Sequence, residues 1–108
     1  MVTRKFPRYP AAISSILMQR DRLKYNASIR DVSVKGCRVE SVIRPFTGMQ
    51  LEVSLQLPGE ATPITINKAA VRWTGSHGIG IEFLAIDPPQ LERLTQLVNK
   101  LSVATHAA

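Results

Sequence analysis

The sequence predicts an all-β protein, a small antiparallel barrel of about six short strands with one amphipathic helix at the C-terminal end. Three observations carry this. Several segments alternate apolar and polar residues with the period of two that a half-buried strand requires. Glycine and proline separate those segments at short intervals. The period then changes to helical spacing after residue 86. At 108 residues and 44% hydrophobic, the chain has apolar material for one compact core.

Residues 12–18 are apolar enough for a first strand but alternate poorly. Tyr25, Ala27 and Ile29 then alternate with Lys24, Asn26, Ser28 and Arg30, and Cys37, Arg38, Val39 and Glu40 resume the period after Gly36. These are two strands joined around residues 31–36. Residues 49–57 alternate without a fault and are closed by Pro58 and Gly59. Ile64 and Ile66 share one phase while Ala69, Val71 and Trp73 share the other, which predicts a bulge near Asn67 and Lys68. Gly75, Ser76, His77 and Gly78 form a turn, after which Ile79, Ile81 and Phe83 line one face of a last strand.

Asp87 is placed to cap a helix, Pro88 and Pro89 suit its first turn, and Gln90 stands three residues after the cap. Leu91, Leu94, Leu97, Val98 and Leu101 follow at helical spacing, giving a helix over about residues 88–101 whose stripe must pack on the barrel or on a second subunit. The expected organisation is a flexible basic arm over residues 1–10 and a barrel domain over residues 11–103. His106 is expected as a solvated end.

Charge is unevenly distributed. Residues 1–44 hold ten Lys or Arg against three carboxylates, whereas the rest of the chain holds four against five. Such a first half favours an anionic partner without choosing among nucleotide, nucleic acid and acidic membrane surface. One cysteine and two histidines cannot make an internal disulfide and are too few and badly spaced for a zinc site, so Cys37 reads as a small buried hydrophobe. No apolar run approaches the roughly 20 residues of a membrane span, and no secretory signal is visible, so a cytoplasmic location is expected. No carboxylate pair, Cys/His couple or nucleophile motif points to an enzyme, and no cofactor is expected.

Two short patterns carry recognition chemistry. Arg4 and Arg8 stand in an R-x-x-x-R spacing that Pro7 and Pro10 keep from being helical. An arginine fork can hold phosphate, read the O6 and N7 edge of guanine or lie flat on a purine. Asp31, Ser33 and Gly36 stand as D-x-S-x-x-G at a strand junction. There a carboxylate can accept from guanine N1 and N2, a hydroxyl can bond a base or phosphate, and glycine permits close backbone approach. Taken alone, the arginine pattern is more often just solvated charge and the second pattern more often an ordinary turn.

Together they resemble the signature of PilZ domains, with no position missing. The resemblance continues through residues 70–73 and 78–83. It implies a six-stranded barrel whose N-terminal arm folds over the bacterial second messenger cyclic di-GMP on the barrel's outer face. Arg4 and Arg8 would grip phosphate and guanine, and Asp31, Ser33 and Gly36 would form the barrel side. Trp73 is carried as a further ligand contact, although its phase with Val71 is also that of a core residue. The implied role is a ligand-gated regulator, monomer or homodimer, acting on a downstream protein of motility, secretion, polysaccharide or transcription machinery. The alternative is a non-specific nucleic-acid-binding small β-barrel, against which stands the scatter of the aromatic residues; no DNA partner is expected. A third possibility is the same fold serving as a scaffold without ligand.

Overall fold

The computed structural model describes residues 6–106. Its strands are β1 (Tyr9–Gln19), β2 (Lys24–Val32), β3 (Gly36–Ser41), β4 (Gln50–Gln56), β5 (Ile64–Gly75) and β6 (Gly78–Ala85), followed by helix α1 (Pro88–His106). The strands close into an antiparallel barrel in the order β1-β2-β3-β6-β5-β4. Closure leaves no unpaired edge strand, so every strand's backbone polar groups have neighbours on both sides.

The alternation in β4 is realised as read: Leu51, Val53 and Leu55 point inward while their neighbours face out. In β1 the inward set is Ile13, Ser15 and Leu17. Its weak alternation has a plain cause, since a serine occupies one inward position and Ile16 and Met18 occupy outward ones. In β5 the inward phase switches from Ile64 and Ile66 to Ala69 and Val71. The pairing with β4 shifts over the same stretch, with Leu51 opposite Ala69 but Val53 opposite Ile66, so the expected bulge lies at Asn67 and Lys68. Cys37, Val39, Ile79, Ile81 and Phe83 complete the core.

The barrel begins and the helix ends outside the expected bounds. Tyr9 and Pro10, assigned in sequence to the arm, already pair with Val32 and Asp31 on β2. The helix runs on past residue 101 to His106.

Leu94 is fully buried and Val98 nearly so, with Leu97 and Leu101 packed beside them, and the helix lies against β1 and β5. Leu91, expected in the same stripe, is instead 42% exposed. The helix is also pinned by polar contacts. Arg93 donates to the carbonyls of Pro63 and Thr62 at 2.8 and 2.7 Å, and the Thr65 N–H donates to Gln90 Oε1 at 3.2 Å. Asp87 caps through its backbone, accepting from the N–H groups of Gln90 and Leu91 at 2.9 Å.

Candidate functional site

The chain from Asp31 to Gly36 turns between β2 and β3, and each residue of its motif has a distinct structural task. Ser33 is only 3% exposed. Its N–H donates to the Gly36 carbonyl at 2.8 Å, and its Oγ accepts from the N–H groups of Lys35 and Gly36 at 3.0 and 3.1 Å. The hydroxyl therefore shapes the turn and has its hydrogen bonds satisfied there. The Lys35 carbonyl accepts from the Phe83 N–H at 2.8 Å, which ties the turn to β6. Gly36 faces β6 so closely that a Cβ would lie 2.3 Å from the Ile81 carbonyl oxygen. No other residue fits that approach without moving a strand.

Asp31 is brought to the outer face by a bulge. Along β2 it shares the phase of Ala27 and Ile29, which points toward the core. Pairing with β3 puts Val39 opposite Ile29 and Arg38 opposite Asp31, leaving Arg30 as an extra residue. That one-residue slip turns Val32 inward and Asp31 outward.

Once outside, the carboxylate meets two guanidinium groups. Arg38 Nε donates to Oδ2 at 2.8 Å, and Arg8 approaches Oδ1 with a nitrogen at 3.6 Å. The second distance is too long for a hydrogen bond. Oδ1 is covered, yet it accepts no hydrogen bond among the described residues.

A second bulge does the same for Trp73. Val71 pairs with Ile81 but Trp73 pairs with Gly80, so Arg72 is the extra residue on β5. Trp73 thereby leaves the core phase it shares with Val71 in the sequence and lies on the outer face, 38% exposed. Its indole packs over Gly80, where a Cβ would sit 2.0 Å from Nε1.

Arg8 stands between two adjoining depressions. One, of about 490 Å³, is lined among others by Phe6, Arg8, Ser33, Gly36, Trp73 and Gly80. The other, of about 320 Å³, is lined by Arg8, Pro10, Arg30, Asp31 and Arg38. Both fall in the usual range for small-molecule sites, roughly 300–1,000 Å³. Around it Lys35 lies over the Phe6 ring at 5.3 Å from the centroid, and Arg72 pairs with Glu82 across β5 and β6.

Of the residues singled out in the sequence, Arg8, Ser33, Gly36 and Trp73 share one depression, and Asp31 joins them through Arg8 in the next. Arg4 lies outside the described residues. Arg38, read in the sequence only as an outward position of the β3 alternation, was not among the site residues expected. The available signal was its charge and its place one strand-turn beyond Asp31, but register was needed to see the pair. Cys37 is buried, which pushes its thiol up to about 12; Arg8 works against that shift and Asp31 adds to it. The thiol offers no thiolate for chemistry near neutral pH.

Among the described residues, no group of three or more His, Cys, Asp or Glu could hold a metal ion, and no helix is long and apolar enough to cross a membrane.

The closed barrel thus gathers a cation, a carboxylate and an exposed aromatic on its outer wall. The chain belongs to the PilZ domain family, whose family model matches residues 3–100. No curated protein matches it. Among solved structures it is similar to the Bacillus subtilis inhibitor of motility MotI/DgrA, at 17% identity and TM-score 0.77 over 98% of this chain and 54% of that one. The chain thus spans about half the length of that protein. It is similar also to the PilZ domain of YcgR from Escherichia coli, solved with c-di-GMP, at 13% identity and TM-score 0.72 over 96% of this chain and 95% of the other. The PilZ domain of CeSA from a cellulose synthesizing bacterium aligns at 18% identity and TM-score 0.70, over 89% and 98% of the two chains.

Proposed function

We propose that this domain is a cyclic di-GMP receptor that regulates a partner protein and has no catalysis of its own. PilZ domains are binding modules rather than enzymes, and one of the similar structures, the PilZ domain of YcgR, was solved with c-di-GMP. The observation that carries the reading is the covered Oδ1 of Asp31, an acceptor without a donor beneath Arg8. A covered acceptor left unmade costs about 1–3 kcal/mol, which a ligand donor would recover. Guanine supplies such donors side by side at N1 and N2.

In this mechanism Arg8 leaves Asp31 for a ligand phosphate or guanine edge, and the carboxylate takes the base in its place. A guanidinium suits both partners because its fork makes paired, charge-assisted hydrogen bonds. Arg4 would add a second fork from the arm. Ser33 and Gly36 act through shape, holding the turn low enough for the ligand to approach the backbone. The Trp73 indole offers a face on which a base can stack, worth about 1–3 kcal/mol per base. Closure of the arm over the ligand would change the surface that a downstream protein in the cytoplasm meets.

Calorimetric titration with cyclic di-GMP, with GTP and a single-stranded oligonucleotide as controls, tests the reading. Saturable binding of cyclic di-GMP at micromolar Kd or tighter is expected, about −8 kcal/mol or stronger. No heat at tens of micromolar protein, or equal binding of the oligonucleotide, would overturn it.

A further inference from the structure

Arg38 is held at two points. Its Nε donates to Asp31 Oδ2 at 2.8 Å from the directly opposite position on β3, and its NH1 group donates to the His77 carbonyl at 2.7 Å. His77 lies in the turn between β5 and β6, so one side chain spans the outer face from β2 to that hairpin. Its side chain is 30% exposed and that of Asp31 is 20% exposed. The nearby pair Arg30 and Glu40 has the same chemistry on the same two strands, but both side chains are about half exposed and neither reaches a third element. Exposed pairs of that kind contribute only about 0–1 kcal/mol and hold little in place.

We propose that Arg38 is a positioning residue for ligand discrimination, fixing the Asp31 carboxylate in the one orientation that reads guanine; this rests on the proposed binding of cyclic di-GMP. An aspartate side chain on an outer strand face has free rotamers and two equivalent oxygens. Arg38 removes both freedoms, because its fork commits Oδ2 while its second contact keeps the fork from following a rotating carboxylate. Oδ1 is left as the acceptor under Arg8, and the second lone pair of Oδ2 remains available beside it. Two adjacent acceptors match the paired N1–H and N2–H of guanine. Adenine has a ring acceptor at the first of those positions and no amino group at the second, so a carboxylate fixed in this way rejects it. A site built on polar groups discriminates strongly because the wrong ligand leaves them unpaired.

The alternative role for the same contacts is structural, a cross-strand pair that supports the hairpin by roughly 0.2–1 kcal/mol. Selectivity separates the two roles. Kd for cyclic di-GMP and cyclic di-AMP should be measured on the wild-type domain, Arg38→Gln, Arg38→Lys and the exposed-cation control Arg44→Ala, with the melting temperature of each. Arg38→Gln and Arg38→Lys are expected to weaken cyclic di-GMP at least about tenfold and leave cyclic di-AMP unchanged, so the preference falls by the same factor. Lysine restores the charge but cannot fork between Asp31 and His77, which makes it the stricter variant. Arg44→Ala should keep the wild-type ratio. If Arg38→Gln melts too low to be titrated, Arg38→Lys alone decides. Equal losses for both ligands, or an unchanged ratio, would overturn the positioning role while leaving the receptor reading intact. A wild-type domain that binds neither ligand would overturn both.

Discussion

The indole of Trp73 rests directly on Gly80, so close that a Cβ at position 80 would lie 2.0 Å from Nε1 and 2.2 Å from Cε2. The two residues are paired across β5 and β6, just past the bulge that turns the tryptophan outward. Gly80 therefore sets the height of one wall of the larger depression.

Gly80→Ala is expected to lift the ring from the barrel while leaving the core intact, since the methyl group points outward and the indole is already part-exposed. Trp73 is the chain's one tryptophan, so its fluorescence reports the change without interference. A red-shifted emission maximum and a cyclic di-GMP affinity at least about tenfold weaker are expected, a loss of about 1.4 kcal/mol. Unaltered emission with full affinity would show that the ring does not form the ligand's wall.

Leu94 and Leu91 provide a test of the helix. Both belong to one heptad-like stripe in the sequence, yet Leu94 is fully buried and Leu91 is 42% exposed. Leu94→Ala is expected to cost about 2–5 kcal/mol, lowering Tm by roughly 8 °C or more. Leu91→Ala should stay within about 0.5 kcal/mol. Thermal melts of the two variants side by side check the difference, and similar losses would mean that Leu91 is covered in solution.

The strands were legible because binary patterning in Leu51, Val53 and Leu55, or in Ile79, Ile81 and Phe83, is imposed by the barrel wall itself. The positions of Asp31 and Trp73 were not read from it. Each shares a phase with core residues, and each is moved to the outer face by one extra residue, Arg30 in β2 and Arg72 in β5. A bulge flips every later side chain, but the sequence marks it only where, as at Asn67 and Lys68, apolar residues on both sides expose the change of phase. At Asp31 the apolar pair Ile29 and Val32 flanks the bulge, so its phase change was legible but read as a turn, whereas past Trp73 no apolar residue follows to expose the change. The Ser33 and Gly36 pair was readable as a turn, whereas the Ile81 carbonyl that demands glycine comes from a strand over forty residues away.

Cys37 should make stability fall in alkali. Burial pushes its thiol from an ordinary value near 9 up to about 12, with Arg8 lowering and Asp31 raising it to smaller extents. The folded chain then keeps a proton that the unfolded chain releases, so stability is unaffected below pH 9 and declines between pH 9 and 12. The loss due to this group reaches about 1.4 kcal/mol at pH 10. Urea unfolding of the wild type and Cys37→Ala under reducing conditions, at pH 7 and pH 10, isolates it. The stability difference between the two proteins should shrink at pH 10, and a constant difference would contradict the burial effect.

Arg8 and Gly36 line the same depression but should fail in different ways. Arg8 is part-exposed and makes one long ion pair to a carboxylate that Arg38 already holds, so its removal leaves the fold with an alternative. Exposed pairs are worth at most about 1 kcal/mol, and Arg8→Ala should melt within a few degrees of wild type. The same variant loses the fork proposed for phosphate or guanine, and affinity for cyclic di-GMP should fall at least about tenfold. Gly36→Ala is the opposite case. Its methyl group meets the Ile81 carbonyl at 2.3 Å, a backbone atom within the β3–β6 ladder that cannot rotate away. Relief requires the two strands to part, which strains the Ser33 turn and the Phe83 hydrogen bond to Lys35. A loss of about 1–3 kcal/mol in stability is expected, the usual cost of overpacking, with weaker binding as its consequence. Melting curves and ligand titrations on both variants give the comparison. A Gly36→Ala protein with wild-type Tm would show that β6 yields at Ile81, and an Arg8→Ala protein with wild-type affinity would remove Arg8 from the binding site.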